Sequence, residues 1–210
     1  MQVEIWSDVV CPWCYLGKRR FEKALEQLPF RDEVEVVHRS FQLDPTAPHD
    51  HTVETAAHLA SKYGLTKDRA AQMQREMEGR AAQDGLEYHL DGQRSGNTFT
   101  AHRLLHLAKT ENKQGELIEA MYRAYFTDGR SLFTVDELAT IANEVGLDPD
   151  DVETVLNDDK FTADVEADIE QARAYGITGV PFYVLNSKFA VSGAQSVDVF
   201  REALERAYQE

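Results

Sequence analysis

The sequence predicts an α/β fold split by a large α-helical insert, and three observations carry the prediction. An alternating apolar strand opens the chain and runs through a Cys-Pro-Trp-Cys turn into a helical pattern. Helical periodicity then continues for roughly a hundred residues, and strand character returns only near Phe182. The predicted order is β-α-β, helical insert, α-β-β-α.

Residues 2–6 place Val3 and Ile5 on one face and read as the first strand. Pro12 suits the first helical position, because it has no N–H to leave unsatisfied and its φ is already helical. Cys11 therefore falls at the N-cap, with its sulfur placed to accept from the amides of Trp13 and Cys14. Phe21, Ala24, Leu25 and Leu28 mark the buried stripe of this helix, and Gly17, one turn beyond Cys14, allows close backbone approach. A second strand is predicted at 33–41, apolar enough to be central in a sheet.

Within the insert, Thr52 and Gly64 frame one helix, and Thr66 and Gly85 frame another. Asn97 or Thr98 starts a third, which carries Ala101, Leu104, Leu105 and Ala108. Leu117, Met121, Ala124 and Tyr125 mark a fourth. Thr134 with Glu137 predicts a capping box for a helix ending at Gly146, and Asp148-Pro149 opens a short one. A helix at about 161–175, strands at 182–185 and 189–191, and a final helix over 196–208 complete the pattern. The chain thus divides into a discontinuous α/β domain, residues 1–45 and 160–210, and an inserted helical domain, residues 46–159.

Composition excludes several function classes. The 22 Lys and Arg stand against 37 Asp and Glu, a net charge of −15, which repels nucleic acid and anionic membrane surfaces. No apolar run is long enough to span a bilayer, and the opening residues lack a basic segment followed by an apolar one, so a cytoplasmic protein is expected. In a reducing compartment a disulfide serves as a transient catalytic bond more often than as a staple.

The two cysteines carry the chemistry. At a helix start, unpaired N–H groups and about half a positive charge favour thiolate over thiol at Cys11. A thiol of pKa about 8.5 is only ~3% ionised at pH 7, whereas a pKa of roughly 7 gives about half. Cys14, three residues on, shares the helical face and is placed to resolve a mixed disulfide. A structural zinc site needs four ligands, and no third cysteine or nearby His pair exists. His102 and His106 lie four apart on one helical face but match no metal motif, so no metal site is predicted.

These residues resemble a known family. Ser7 through Tyr15 with Cys11-Pro12-Trp13-Cys14, then Gly179-Val180-Pro181-Phe182, then Val191-Ser192-Gly193-Ala194-Gln195, are similar to the DsbA branch of the thioredoxin superfamily, above all its cytosolic FrnE-like members. The likeness runs end to end, and the segment Asn97-Thr98 with Ala101-His102-Arg103 resembles the same group and its glutathione-transferase relatives. It implies a thioredoxin fold with a helical domain between its two halves, and a protein-disulfide oxidoreductase or isomerase. It also implies a cis Val180–Pro181 bond against Cys11, with the Val180 backbone exposed to pair with an extended client.

The candidate site is therefore Cys11 attacking and Cys14 resolving, with Pro12, Trp13, Val180, Pro181, Asn97 and His102 as client contacts. Asn97 and His102 have a second reading, in helix capping and packing. No bound cofactor is expected beyond the redox-active Cys11–Cys14 disulfide; the partners are thiol or disulfide client proteins, or glutathione. Trp13 lacks the imidazole found at its position in strongly oxidising members, so a less oxidising couple is expected. Two competing functions share the fold: a glutathione-dependent transferase or isomerase of kappa or hydroxychromene-carboxylate type, and a redox-switched adaptor. The first places serine where this chain has Cys11.

Overall fold

The computed structural model describes residues 1–210 and divides into two compact units, Met1–Leu43 with Thr162–Glu210, and Asp44–Phe161. The first is built on strands β1 (Gln2–Ser7), β2 (Glu35–Ser40), β5 (Phe182–Leu185) and β6 (Phe189–Ser192), in the order β2-β1-β5-β6. β2 runs parallel to β1, β5 antiparallel, with Trp6 opposite both Arg39 and Phe182. Helices α1 (Pro12–Leu25) and α9 (Val197–Gln209) cover one face of this sheet, and α8 (Thr162–Ala174) covers the other. This is the mixed α/β thioredoxin architecture.

The second strand, expected to be central, lies at the edge of the sheet, where β1 alone pairs with it; β1 is the interior strand, and both its faces are buried. Val3 and Ile5 join Phe21, Ala24, Leu28, Tyr183, Leu185, Phe200 and Leu204 in one core cluster, while Trp6 joins Ala172, Ile177 and Val184 on the opposite face. Tyr183 stacks on Phe21 at 5.5 Å and meets Phe200 edge-on at 4.7 Å. Aromatic pairs of this kind add about 1 kcal/mol beyond the area they bury.

Alternation along β1 leaves Glu4 as a polar residue, yet it is buried and paired. Arg39 on β2 donates to Glu4 Oε1 through Nη2 at 2.6 Å and Nε at 2.9 Å, and its Nη1 donates to Asp168 Oδ1 on α8 at 2.9 Å. The other Asp168 oxygen accepts the Ser40 backbone N–H, and its carbonyl accepts the Trp6 indole N–H. Burial alone would pull the Arg39 guanidinium down, but Glu4 and Asp168 outweigh it and hold its pKa above the ordinary value. The network fixes α8 to the sheet where the faces around it are apolar.

The second unit holds α2 (Thr55–Tyr63), α3 (Lys67–Gln83), α4 (Phe99–Thr110), α5 (Gln114–Phe126), α6 (Val135–Glu144) and α7 (Pro149–Asn157), with a two-stranded ribbon of β3 (Val53–Glu54) and β4 (Arg94–Ser95). Leu104, Leu107, Leu117, Ile118, Met121, Tyr122 and Phe126 are fully or almost fully buried. None of the helices is long and apolar enough to cross a membrane.

Two helix starts differ from the sequence expectation. Thr52 does not cap α2: Val53 and Glu54 pair with Ser95 and Arg94, and Thr52 Oγ1 accepts from Arg94 Nε at 2.6 Å, so the helix begins at Thr55. The Thr134–Glu137 capping box does not form either. Thr134 occupies the N-cap without a side-chain bond, and the Glu137 carboxylate accepts from Arg130 Nε at 3.0 Å. Asp148 behaves as predicted, accepting from the amides of Asp150 and Asp151 ahead of Pro149.

Replacing Asp168 with Ala leaves Arg39 Nη1 and the Ser40 N–H without their acceptor, while Arg39 keeps Glu4. The variant is expected to lose about 2 kcal/mol of stability, read as a lower urea midpoint at unchanged m-value; a wild-type midpoint would show that Asp168 holds neither group.

Candidate functional site

Cys11 occupies the N-cap of α1 with extended backbone, and Pro12 takes the first helical position. The turn ahead of it is closed by the Cys11 N–H donating to the Asp8 carbonyl at 3.1 Å. Asp8 is itself buried, and its carboxylate accepts the Leu43 N–H at 2.8 Å, so the loop between β1 and α1 is tied down from inside. Cys11 and Cys14 are free thiols that approach to 3.3 Å.

The sulfur of Cys11 does not cap the helix as the sequence suggested. It makes no side-chain cap bond and instead faces the Val180 carbonyl at 3.7 Å, across 169 residues of sequence. Its S–H donates to that carbonyl, whereas the Cys14 N–H expected to bond the sulfur donates to the Cys11 carbonyl at 2.9 Å. The Val180–Pro181 peptide is cis, and the Pro181 carbonyl accepts the Gly193 N–H at 2.8 Å. An open groove beside it is lined by Gly176, Thr178, Gly179, Val180, Pro181 and Phe182 with Ser192 and Gly193.

Burial first, then the hydrogen bond and charge of Cys11, push the Cys14 thiol well above its ordinary pKa, against a lowering contribution from the Asp8 backbone. Trp13 is 41% exposed beside this buried pair. Gly17 permits the close approach its position suggested: a Cβ there would fall 2.7 Å from Tyr183 Oη and 3.0 Å from Pro181 Cγ.

The structure thus brings together Cys11, Pro12, Trp13, Cys14, Val180 and Pro181 within the first unit. Asn97 and His102 belong to the second. Asn97 does helix-start work from the position before the N-cap, its Oδ1 accepting the Phe99 N–H and its Nδ2 donating to the Ala47 carbonyl. His102 is 1% exposed on α4. Neither Asp8 nor Tyr183 was singled out in the sequence; an aspartate between strand and motif was a readable signal, whereas nothing local marks Tyr183. No group of three or more His, Cys, Asp or Glu side chains is arranged to hold a metal ion.

A family model described as the DSBA-like thioredoxin domain matches residues 2–205. The chain belongs to this family. A probable DsbA oxidoreductase from Streptomyces coelicolor is 46% identical in sequence and superposes with a TM-score of 0.96, covering 100% of this chain and 91% of that one. An uncharacterized protein of Bacillus subtilis, YwbO, is 26% identical over 207 residues, 97% of this chain and 96% of its own length. At the level of fold alone, the cytosolic disulfide reductase DsbM from Pseudomonas aeruginosa, solved with GSH, matches all of both chains with a TM-score of 0.66 at 17% identity. Membership places the chain in a family of DsbA-like thiol–disulfide oxidoreductases.

Two outcomes follow from the packing. Gly17→Ala gains about 1 kcal/mol of helix propensity but overpacks Tyr183 and Pro181 by about 1–3 kcal/mol, so a net loss of stability is expected in urea, together with slower disulfide exchange. The raised Cys14 pKa means that the reduced folded protein keeps a proton that the unfolded chain releases near about pH 8.5. That contribution to stability is present below this pH and is lost as pH climbs past it. Cys14→Ala should therefore show a shallower alkaline fall in Tm than reduced wild type, and parallel curves would contradict the shift.

Proposed function

We propose that this DsbA-like protein exchanges disulfides with protein or small-thiol clients through the Cys11-Pro12-Trp13-Cys14 dithiol. The observation that carries the reading is the pair of free thiols 3.3 Å apart at a helix start, with Cys11 facing Val180. In the reducing direction the Cys11 thiolate attacks a client disulfide; a bond forms between Cys11 Sγ and one client sulfur, and the other leaves with the electron pair and takes up a proton. Cys14 then loses its proton and attacks Cys11 Sγ, forming the internal disulfide and releasing the reduced client. A buried Cys14 that holds its proton suits a thiol needed only in the second step.

The oxidising direction is the reverse: a client thiolate opens the Cys11–Cys14 bond, and a second client thiol displaces the mixed disulfide. An extended client segment would lie in the groove beside Val180 and Pro181, pairing with the Val180 backbone as an added strand. Exposed Trp13 offers that segment an apolar contact. In this reading the protein is FrnE-like and works in the cytoplasm with glutathione as a thiol partner. The fold-level likeness to DsbM, described as cytosolic and solved with GSH, supports that setting.

The test is a pair of variants. Cys11→Ser is expected to abolish exchange with a model disulfide, and Cys14→Ser to accumulate mixed disulfides at Cys11, with client or glutathione detected by mass spectrometry. Full activity in Cys11→Ser would sink the dithiol mechanism, and a Cys14→Ser protein that traps no adduct would remove Cys14 from its resolving role.

A further inference from the structure

Tyr183 is 0% exposed, and its hydroxyl oxygen has no hydrogen-bond partner. A buried hydroxyl left unpaired costs about 1–3 kcal/mol, and the ring contacts with Phe21 and Phe200 would be satisfied equally by phenylalanine. The oxygen has a defined location. It lies against Gly17, one helical turn after Cys14, where a Cβ would come within 2.7 Å of it. Tyr183 is two residues after Pro181, which immediately precedes β5, and both side chains lie against Gly17. A glycine on α1, one turn after Cys14, thus makes room for a buried polar atom with no partner.

We propose that the Tyr183 hydroxyl donates a hydrogen bond to the Cys14 sulfur when that sulfur becomes a thiolate. The inference rests on the disulfide-exchange reading above and assigns a residue to its least favourable moment. When a client thiolate attacks Cys11 Sγ, the new client–Cys11 bond forms, the Cys11–Cys14 bond breaks, and its electron pair stays on Cys14 Sγ. That charge arises in a site where burial penalises it. The phenol supplies a donor, directly or through one water, and keeps its own proton. In the reverse direction the same donor stabilises the Cys14 thiolate that attacks the mixed disulfide. In the dithiol, Cys14 is a thiol and a weak acceptor, which fits a hydroxyl without a partner in that form.

The charges around the phenol agree with a donor. Burial, then Cys14, Cys11 and Glu22 in that order, push its pKa well above the ordinary value, so it stays protonated wherever thiols react. These groups all belong to α1 or its N-cap, and Glu22 is itself paired with Lys18 at 2.6 Å. From α9 the ring meets Phe200, which carries no charge.

The test is Tyr183→Phe, which removes one oxygen and keeps the ring. In a Cys11→Ser background, where Cys14 is the sole thiol, iodoacetamide alkylation of Cys14 at pH 8.5 is expected to slow about tenfold, the equivalent of one pH unit of lost thiolate. In a Cys14→Ala background the same substitution is expected to leave Cys11 alkylation unchanged. Urea midpoints should hold or rise, because the hydroxyl removed had no partner. Equal Cys14 alkylation with and without the hydroxyl overturns the proposal, as does an equal slowing of Cys11, which would mark a general packing effect. Wild-type exchange with a model disulfide is assayed alongside. If wild type does not exchange, the functional reading itself fails; if it exchanges and Tyr183→Phe changes nothing, only the role of Tyr183 is lost.

Discussion

The antiparallel pairing of β1 with β5 is the constraint on which the site depends. It sets Trp6 opposite Phe182 and so holds the end of β1, which leads into Cys11, beside the chain that enters β5 at Val180 and Pro181. Without that register the dithiol would be a turn at the start of a helix and the Val180 carbonyl would be a loop atom elsewhere. With it, the Cys11 sulfur faces that carbonyl, and Tyr183, opposite Ile5, reaches under α1. Closing a loop of this length is entropically costly, and the cost is met by burial of Val3, Ile5, Tyr183 and Leu185 in one cluster with α1 and α9.

The opposite face solves a different problem. A purely apolar contact between α8 and the sheet would leave the helix free to slide, whereas Arg39 bonded to both Glu4 and Asp168 admits one alignment. The chain from α8 runs into the groove segment of Gly176 to Pro181, so the alignment of α8 also sets where Val180 emerges. Desolvating three charged groups adds little or nothing to net stability by itself; its effect here is on position. The raised pKa of Cys14 also follows from placement, since burial on α1 is its first cause and the neighbouring Cys11 its second.

Much of this was legible in the sequence because it is local. A strand, a Cys-Pro-Trp-Cys turn and an amphipathic stripe at Phe21, Ala24 and Leu28 are each written in adjacent residues, as are the caps at Asp148 and Ser196. The misreadings arose where a distant residue competed for a local one. Arg94 and Ser95 draw Glu54 and Val53 into a ribbon and Arg94 bonds Thr52, and Arg130 takes the Glu137 carboxylate. The burial of Glu4 is not marked locally, because its partner Arg39 lies on another strand and is held in turn by Asp168. The Cys11 sulfur turns from its own helix amides to Val180 for the same reason, and Tyr183 is indistinguishable from any other strand aromatic until Gly17 is seen beneath it.

The central claim is that Cys11 and Cys14 form a reversible redox couple, and equilibrium titration against glutathione redox buffers tests it most directly, with Trp13 fluorescence and thiol alkylation as independent readouts. The account predicts a single two-electron transition seen identically by both, absent from Cys11→Ser, at a potential less oxidising than that of DsbA-family members with histidine at the position of Trp13. Thiols that remain reduced across the whole buffer series, or a transition that survives in Cys11→Ser, would contradict it.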